Sequence, residues 1–124
     1  MKRLLCYIVA IVMLCGCSGK KLNDGASYKM IEAGNKVLDA WERLKTDPNR
    51  KAENVKKQFY QQIYDAVEDG EAIYDGKNEH DKRILEDMKV IKGYVQFLDL
   101  YGTKPQTSTD IEKIVDYLRE DLTK

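Results

Sequence analysis

Apolar residues recur every three or four positions through most of the chain after residue 27, which is the spacing of one face of an α-helix. Four segments carry this pattern, and none shows a convincing alternation with a period of two, which would indicate a strand. In the first segment, which begins near Tyr28, the apolar positions are Ile31, Val37, Leu38, Trp41 and Leu44. In the second they are Ala52, Val55, Phe59, Ile63, Ala66, Val67, Ile73 and Tyr74.

The second segment predicts a helix over residues 48–75, because residues typical of helix ends lie at both limits. Asp47 suits the N-cap with Pro48 at the first helical position, and Asp75-Gly76 ends the pattern. Gly70 lies inside this segment, where glycine costs about 1 kcal/mol relative to alanine. The pattern therefore leaves open whether the second helix breaks at Gly70.

The third and fourth segments also carry end signals. Asn78 is expected to cap the third helix, and Gly102 followed by Pro105 to end it. Thr109 and Glu112 have the spacing of a capping box at the start of the fourth helix. The apolar positions of these two segments are Ile84, Leu85, Met88, Ile91, Val95 and Leu98, then Ile111, Ile114, Val115, Leu118 and Leu122.

Four amphipathic helices joined by short links predict an all-α fold for residues 28–124. A small antiparallel bundle, or two stacked helical hairpins, would bury the four apolar faces against one another. About 100 residues suffice for one such core but not for two. We therefore expect a single helical domain.

The first 16 residues have a different pattern, typical of an export signal. Lys2 and Arg3 precede an apolar run over residues 4–14, and the small Gly16 precedes Cys17. Eleven apolar residues are too few to cross a bilayer, which needs about 20. We expect this segment to be removed from the mature protein.

Leu14-Cys15-Gly16-Cys17 resembles the lipobox of bacterial lipoproteins, in which an aliphatic residue and two small ones precede a modified cysteine. Cys15 is an unusual but small occupant of the second place. The resemblance implies cleavage between Gly16 and Cys17, a diacylglycerol thioether on the Cys17 sulfur and a further acyl chain on its amine. Two or more chains hold a protein stably at a membrane. Ser18 resembles the arrangement that sends enteric lipoproteins to the outer membrane, facing the periplasm, if the source is Gram-negative.

Cleavage also changes the charge and the cysteine content of the protein. Loss of Lys2 and Arg3 leaves 19 basic residues against 21 acidic ones, a net charge of −2, which gives no general attraction to nucleic acid. Cys6 and Cys15 leave with the signal, and Cys17 is alkylated. We therefore expect no disulfide and no cofactor other than the covalent lipid on Cys17.

Residues 17–27, the lipidated cysteine and SGKKLNDGAS, contain one large apolar residue and predict a flexible tether. Ten such residues have an end-to-end distance of about 17 Å. The helical domain would therefore lie close to the lipid surface.

Few residues of the mature chain point to catalysis or to metal binding. His80 is the sole histidine, in a highly charged segment typical of a solvated helix start, and no nucleotide-binding, hydrolase or zinc-protease motif occurs. Five carboxylates with no basic residue between them could bind calcium, but their spacing does not match a calcium-binding loop. Charge pairing with Lys77, Lys82 and Arg83 would also account for them. The five carboxylates are Asp65, Glu68, Asp69, Glu71 and Asp75. We expect neither an enzyme nor a metal protein.

Aromatic residues on the second and third helices form stripes that are broad for one packing seam. One interpretation is a wide core with tyrosine hydroxyls at its edge. The other is a groove between the two helices that receives an apolar helix or peptide of a partner. The candidate groove residues are Phe59, Tyr60, Tyr64, Tyr94, Phe97 and Tyr101. Trp41 is expected in the core.

Together these features predict a membrane-anchored, helical protein-binding module of the bacterial envelope, with an envelope protein as its partner. Its plan is similar to that of pilotins, small lipoproteins that bind a secretin's helical tail, in size, anchor and helical content only. One alternative is an exclusion or immunity lipoprotein that blocks a receptor or effector. Another is a structural lipoprotein without a specific partner.

Overall fold

The computed structural model describes residues 25–105 and 110–123, and within them the chain forms four helices. They are α1 (Tyr28–Thr46), α2 (Glu53–Ile73), α3 (Glu79–Tyr101) and α4 (Ile111–Thr123). These two described ranges contain no strand, which confirms the predicted all-α class. The cleavage site, Cys17 and the capping residue Thr109 lie outside the described residues.

The helices alternate in direction around a central pair. α1 contacts each of the other three helices, α3 also contacts α2 and α4, and α2 does not touch α4. An ion pair of 3.2 Å between Lys45 and Glu112 joins the end of α1 to the start of α4. We call the end with the start of α1 and α3 the proximal end, because it follows the predicted tether, and the opposite end the distal end.

The four predicted apolar faces meet in one core. Its fully buried side chains come from every helix, and burying each large aliphatic side chain contributes about 1.5–3 kcal/mol. Gly34 lets α1 and α4 approach closely, because a Cβ built there would lie 2.7 Å from Leu122 Cδ2. Gly70 is buried opposite Leu85 of α3, and α2 continues through it without a break.

The predicted signals at both ends of α3 are confirmed. The Asn78 side-chain oxygen accepts hydrogen bonds from the backbone N–H groups of His80 and Asp81, at 2.9 and 3.1 Å. Gly102 ends the helix in the left-handed conformation, with φ of 70°. At α4, Asp110 Oδ1 accepts from the backbone N–H groups of Glu112 and Lys113.

The predicted start of the second helix is wrong by five residues. Asp47 ends α1, and its Oδ1 accepts from the backbone N–H of Asn49 at 2.8 Å. The carbonyl of Asn49 then accepts from the N–H of Ala52, so residues 47–52 form a turn rather than a first helical turn. Asp47 stabilises this turn locally, and α2 begins only after Ala52.

Three residues assigned to the tether lie against the start of α3. Asn78 Nδ2 donates to the carbonyl of Gly25 at 2.9 Å, and the backbone N–H of Ser27 donates to the buried Asp81 at 2.8 Å. The Ser27 hydroxyl in turn accepts from the N–H of Met30 and caps α1. These contacts attach the chain to the proximal end from Gly25 onward.

None of the helices in the described ranges has the length and apolar character that crossing a membrane requires.

Candidate docking surfaces

The six aromatic residues predicted to line a groove between α2 and α3 lie in different environments. Phe59 and Tyr60 are buried, with 6% and 8% of their surface exposed, whereas Tyr101 at the end of α3 is 66% exposed. The other three are half-buried: Tyr64, Tyr94 and Phe97. The buried pair belongs mainly to the core, although Tyr60 also lines a cavity described below.

Tyr64 of α2 forms a hydrogen bond with Asp99 of α3. Its hydroxyl donates to Asp99 Oδ2 at 3.1 Å, and Lys57 Nζ lies 3.4 Å from the other oxygen of the same carboxylate. Burial, followed by the hydrogen bond and the charge of Asp99, raises the pKa of the Tyr64 hydroxyl to about 12. Tyr64 and Asp99 therefore connect the two helices where the groove was predicted.

The remaining aromatic residues form two separate pairs. Tyr94 packs edge-on against Trp41 of α1, with ring centroids 5.8 Å apart. Phe97 packs against Tyr101 with a centroid distance of 4.6 Å. Trp41 is only 6% exposed, which confirms its predicted place in the core. The six candidate residues thus differ in exposure and in the rings they contact, and the groove between α2 and α3 stays a prediction.

A depression lies between α1 and α2, and we call it the α1–α2 groove. It has a volume of about 760 Å³, with Ile31 and Ala66 among its apolar residues and the exposed Tyr28 near its proximal end. Four carboxylates and one amine add charge: Glu32, Asp39, Asp65, Asp69 and Lys36. The groove is therefore amphipathic and predominantly acidic.

Neighbouring polar groups position two of these carboxylates. Gln61 Nε2 donates to Asp65 Oδ1 at 2.9 Å, one turn away on α2. Asp39 pairs with Arg43 at 3.2 Å on the exposed side of α1. An exposed pair of this kind contributes about 1 kcal/mol or less and exchanges readily with other partners.

A second cavity, the distal pocket, lies where the ends of α1 and α3 meet the starts of α2 and α4. Its volume is about 550 Å³, and Trp41, Tyr60 and Tyr94 contribute aromatic surface to it. Four cationic side chains and two carboxylates also line this pocket: Lys45, Arg50, Lys56, Lys104, Asp110 and Glu112. The distal pocket therefore combines an aromatic wall with a mainly basic rim.

The acidic segment of α2 pairs differently from the prediction. Glu71 pairs with Lys89 of α3 at 3.6 Å, while Arg83 faces Asp121 of α4 at 3.8 Å. Asp75 Oδ1 accepts from the backbone N–H groups of Lys77 and Asn78, and these bonds lower the pKa of its carboxyl. Charge pairing with α3 thus occurs, but through Lys89.

His80, the sole histidine, contacts another side chain at the proximal end. His80 Nδ1 lies 3.1 Å from an Arg83 guanidinium nitrogen at the exposed start of α3. Among the described residues, no three His, Cys, Asp or Glu side chains are grouped closely enough to hold a metal ion.

Sequence reasoning missed the α1–α2 groove although a signal for it exists. Glu32, Lys36 and Asp39 recur at helical spacing beside the apolar face of α1, and Asp65 and Asp69 do the same on α2. Only the packing of α1 against α2 brings the two charged rows together. The cations of the distal pocket likewise come from segments far apart in the sequence.

Searches of protein-family models, of curated proteins and of solved structures found no match for this chain.

Proposed function

We propose that this chain is a lipid-anchored, protein-binding module of the bacterial envelope, which acts by docking a partner rather than by turning over a substrate. The lipobox resemblance at Gly16-Cys17 supports the anchor. The α1–α2 groove supports the docking role, because it has a volume of about 760 Å³ and an amphipathic lining. This groove is the single observation on which the docking proposal depends.

The charge of the groove selects the class of partner. Four carboxylates surround one lysine, so a segment with several Lys or Arg side chains and one or two apolar residues is complementary to it. The apolar side chains of such a segment would pack against the exposed Tyr28, while its cations face the carboxylates. The partner is therefore an envelope protein with an exposed, basic amphipathic segment.

The position of the groove fits a partner held near lipid. Its lining on α1 runs from Tyr28 to Asp39, which is the part of the helix nearest the predicted tether. The whole of α1, with 19 residues, is about 28 Å long. A protein docked in the groove would lie a short distance from the membrane surface. In a Gram-negative source, this surface would be the periplasmic face of the outer membrane.

Site-specific photocrosslinking in the native cell tests this proposal. A photoreactive amino acid at Asn35 or Gln62, inside the groove, is expected to give one adduct with the same envelope protein. The same amino acid at the exposed Val90 of α3 is the position control. Charge reversal by Asp65→Lys with Asp69→Lys is expected to abolish the adduct, because the cations of the partner would meet like charges.

The matched control is Glu68→Lys with Glu120→Lys, which changes the net charge equally at exposed positions outside the groove lining. We expect this control to retain the adduct. An adduct that survives the reversal of Asp65 and Asp69, or that both double variants weaken equally, would contradict docking in the α1–α2 groove. A partner without a basic segment at the crosslinked site would also contradict it.

A further inference from the structure

The distal pocket has a lining suited to a small molecule, and it lies at the far end of the bundle from the α1–α2 groove's proximal entrance. Its volume of about 550 Å³ is within the range of small-molecule sites, about 300–1,000 Å³. Trp41, Tyr60 and Tyr94 supply aromatic surface, and Leu98 and Ile111 supply aliphatic surface. Such a lining favours a ligand with an apolar or aromatic body.

Trp41, which lines this pocket, also has a buried polar atom. Trp41 is 94% buried, and within the described ranges its indole Nε1–H has no hydrogen-bond acceptor. Buried indole N–H groups usually have a partner. Nε1 is itself buried, so recognition of a ligand depends on the lining of the pocket and the charge of its rim.

The rim of the pocket carries more positive than negative charge. Both oxygens of Glu112 lie 3.2 Å from Lys45 Nζ, and Asp110 Oδ1 accepts the N–H groups that begin α4. Each carboxylate thus has a defined partner inside the protein. Arg50, Lys56 and Lys104 add three further cations to the same lining. An anionic group on the ligand would be attracted to this rim.

From the lining of the distal pocket and the charge of its rim we infer that it binds an amphipathic anion, a carboxylate attached to an apolar or aromatic body. The body lies against Trp41, Tyr60 and Tyr94, and the carboxylate faces Arg50 and Lys56. The site is separate from the α1–α2 groove, so the protein can bind this ligand whether or not a partner protein occupies the groove.

Trp41 makes the inference directly testable, because it is the only tryptophan of the chain. The full chain, extracted from membranes and reconstituted in lipid nanodiscs, is titrated with 4-phenylbutyrate while tryptophan fluorescence is recorded. Empty nanodiscs correct for partition of the probe into lipid. The neutral 4-phenylbutan-1-ol and the cationic 4-phenylbutylammonium have the same body and serve as matched probes.

We expect saturable binding of 4-phenylbutyrate, with the alcohol about tenfold weaker and the ammonium weaker still. Arg50→Gln with Lys56→Gln is expected to weaken binding of the carboxylate about tenfold and to leave binding of the alcohol unchanged. The matched control is Lys29→Gln with Lys82→Gln, which removes two exposed cations at the proximal end and should leave all three affinities unchanged.

Three results would overturn the inference. The first is no saturable response to 4-phenylbutyrate in the millimolar range. The second is equal affinity for the three probes, which would indicate apolar binding without recognition of charge. The third is an equal loss of carboxylate binding in the two double variants, which would place the effect in the overall charge rather than in the pocket.

Discussion

Polar side chains that face one another between α3 and α4 make this interface sensitive to pH. Asp87 is half-buried on α3, and Asp121 of α4 is 8% exposed. Burial, then the hydrogen bond and the charge of Asp121, raise the pKa of Asp87 from 3.8 to about 8, with Glu86 adding to the rise and Arg83 opposing it. The raised pKa favours the protonated form of Asp87, whose O–H can donate a hydrogen bond to the Asp121 carboxylate.

Because the pKa of Asp87 is higher in the folded state, the folded protein holds a proton on this carboxyl at pH values where the unfolded chain has released it. The free energy of unfolding should therefore fall as the pH rises from about 4 to about 8. Asp87→Asn keeps a donor for Asp121 and needs no proton. We expect it to stabilise the protein by about 1–2 kcal/mol at pH 8 and to flatten this slope, as measured by urea unfolding across the pH range.

The control for this prediction is Glu120→Gln, which neutralises an exposed carboxylate on α4 next to Asp121 in the sequence. It should leave the slope as in the unmodified protein. If Asp87→Asn had the same pH profile as Glu120→Gln, Asp87 would not be the group that titrates.

At the scale of the helices, the capping residues determine where each helix begins more than the apolar pattern does. Three helices have a side chain that accepts a hydrogen bond from their first turn: Ser27 for α1, Asn78 for α3 and Asp110 for α4. α2 is different, because its N-cap is Ala52, whose methyl group cannot accept a hydrogen bond. The first turn of α2 therefore lacks the side-chain cap that the other three helices have.

Ala52→Ser is expected to supply this missing cap. Ala52 is exposed, and its φ of −72° and ψ of 133° are already those of an N-cap residue. The serine hydroxyl should stabilise the protein by about 1 kcal/mol, measured as a higher midpoint of thermal unfolding by circular dichroism.

The reciprocal change, Asn78→Ala, removes an existing cap and the bond to Gly25, and should cost about 1–2 kcal/mol. Ala72→Ser is the position control, since it places serine inside the last turn of α2 at an exposed site, where it can only lower helix propensity. A gain from Ala72→Ser equal to that from Ala52→Ser would show that the hydroxyl does not act as a cap.

At the scale of the whole molecule, the bundle presents two depressions whose linings differ in chemistry. The acidic α1–α2 groove includes the part of α1 next to the predicted tether, and the basic, aromatic distal pocket lies at the other end. A lipid on Cys17 would place the groove nearer the membrane than the pocket. This orientation depends on the anchor, which can be tested by itself.

Mass spectrometry of the native protein should find a chain that begins at Cys17 and carries acyl groups. Cys17→Ala should retain the signal peptide or release an unacylated chain, so that acyl mass is lost and any binding partner is no longer held at the membrane. Persistence of Met1 without any acyl mass on the native protein would contradict the anchor. It would leave the groove and the distal pocket to be tested separately.

Most of the fold was predictable because helical periodicity is a local property. The buried positions of α3 were all among the predicted apolar residues, apart from Asp81, and Asn78 and Gly102 ended that helix as expected. The start of α2 was not predicted, because Asp47 can cap a turn as well as a helix, and only its bond to Asn49 distinguishes the two. The surfaces were less predictable, since Phe59 and Tyr60 are equally suited to a groove and to a core.

The sequence by itself determined the helical class, the number of helices, the faces they bury and the predicted export signal. These depend on residues that are neighbours along the chain or within two turns of a helix. Tertiary structure alone decided that Tyr64 donates a hydrogen bond from α2 to Asp99 of α3 and that two charged rows meet between α1 and α2. It also decided that cations from four segments line one pocket together with Trp41. Such sites arise from residues far apart in sequence, whose proximity depends on the rotation of each helix about its own axis and on which helices become neighbours.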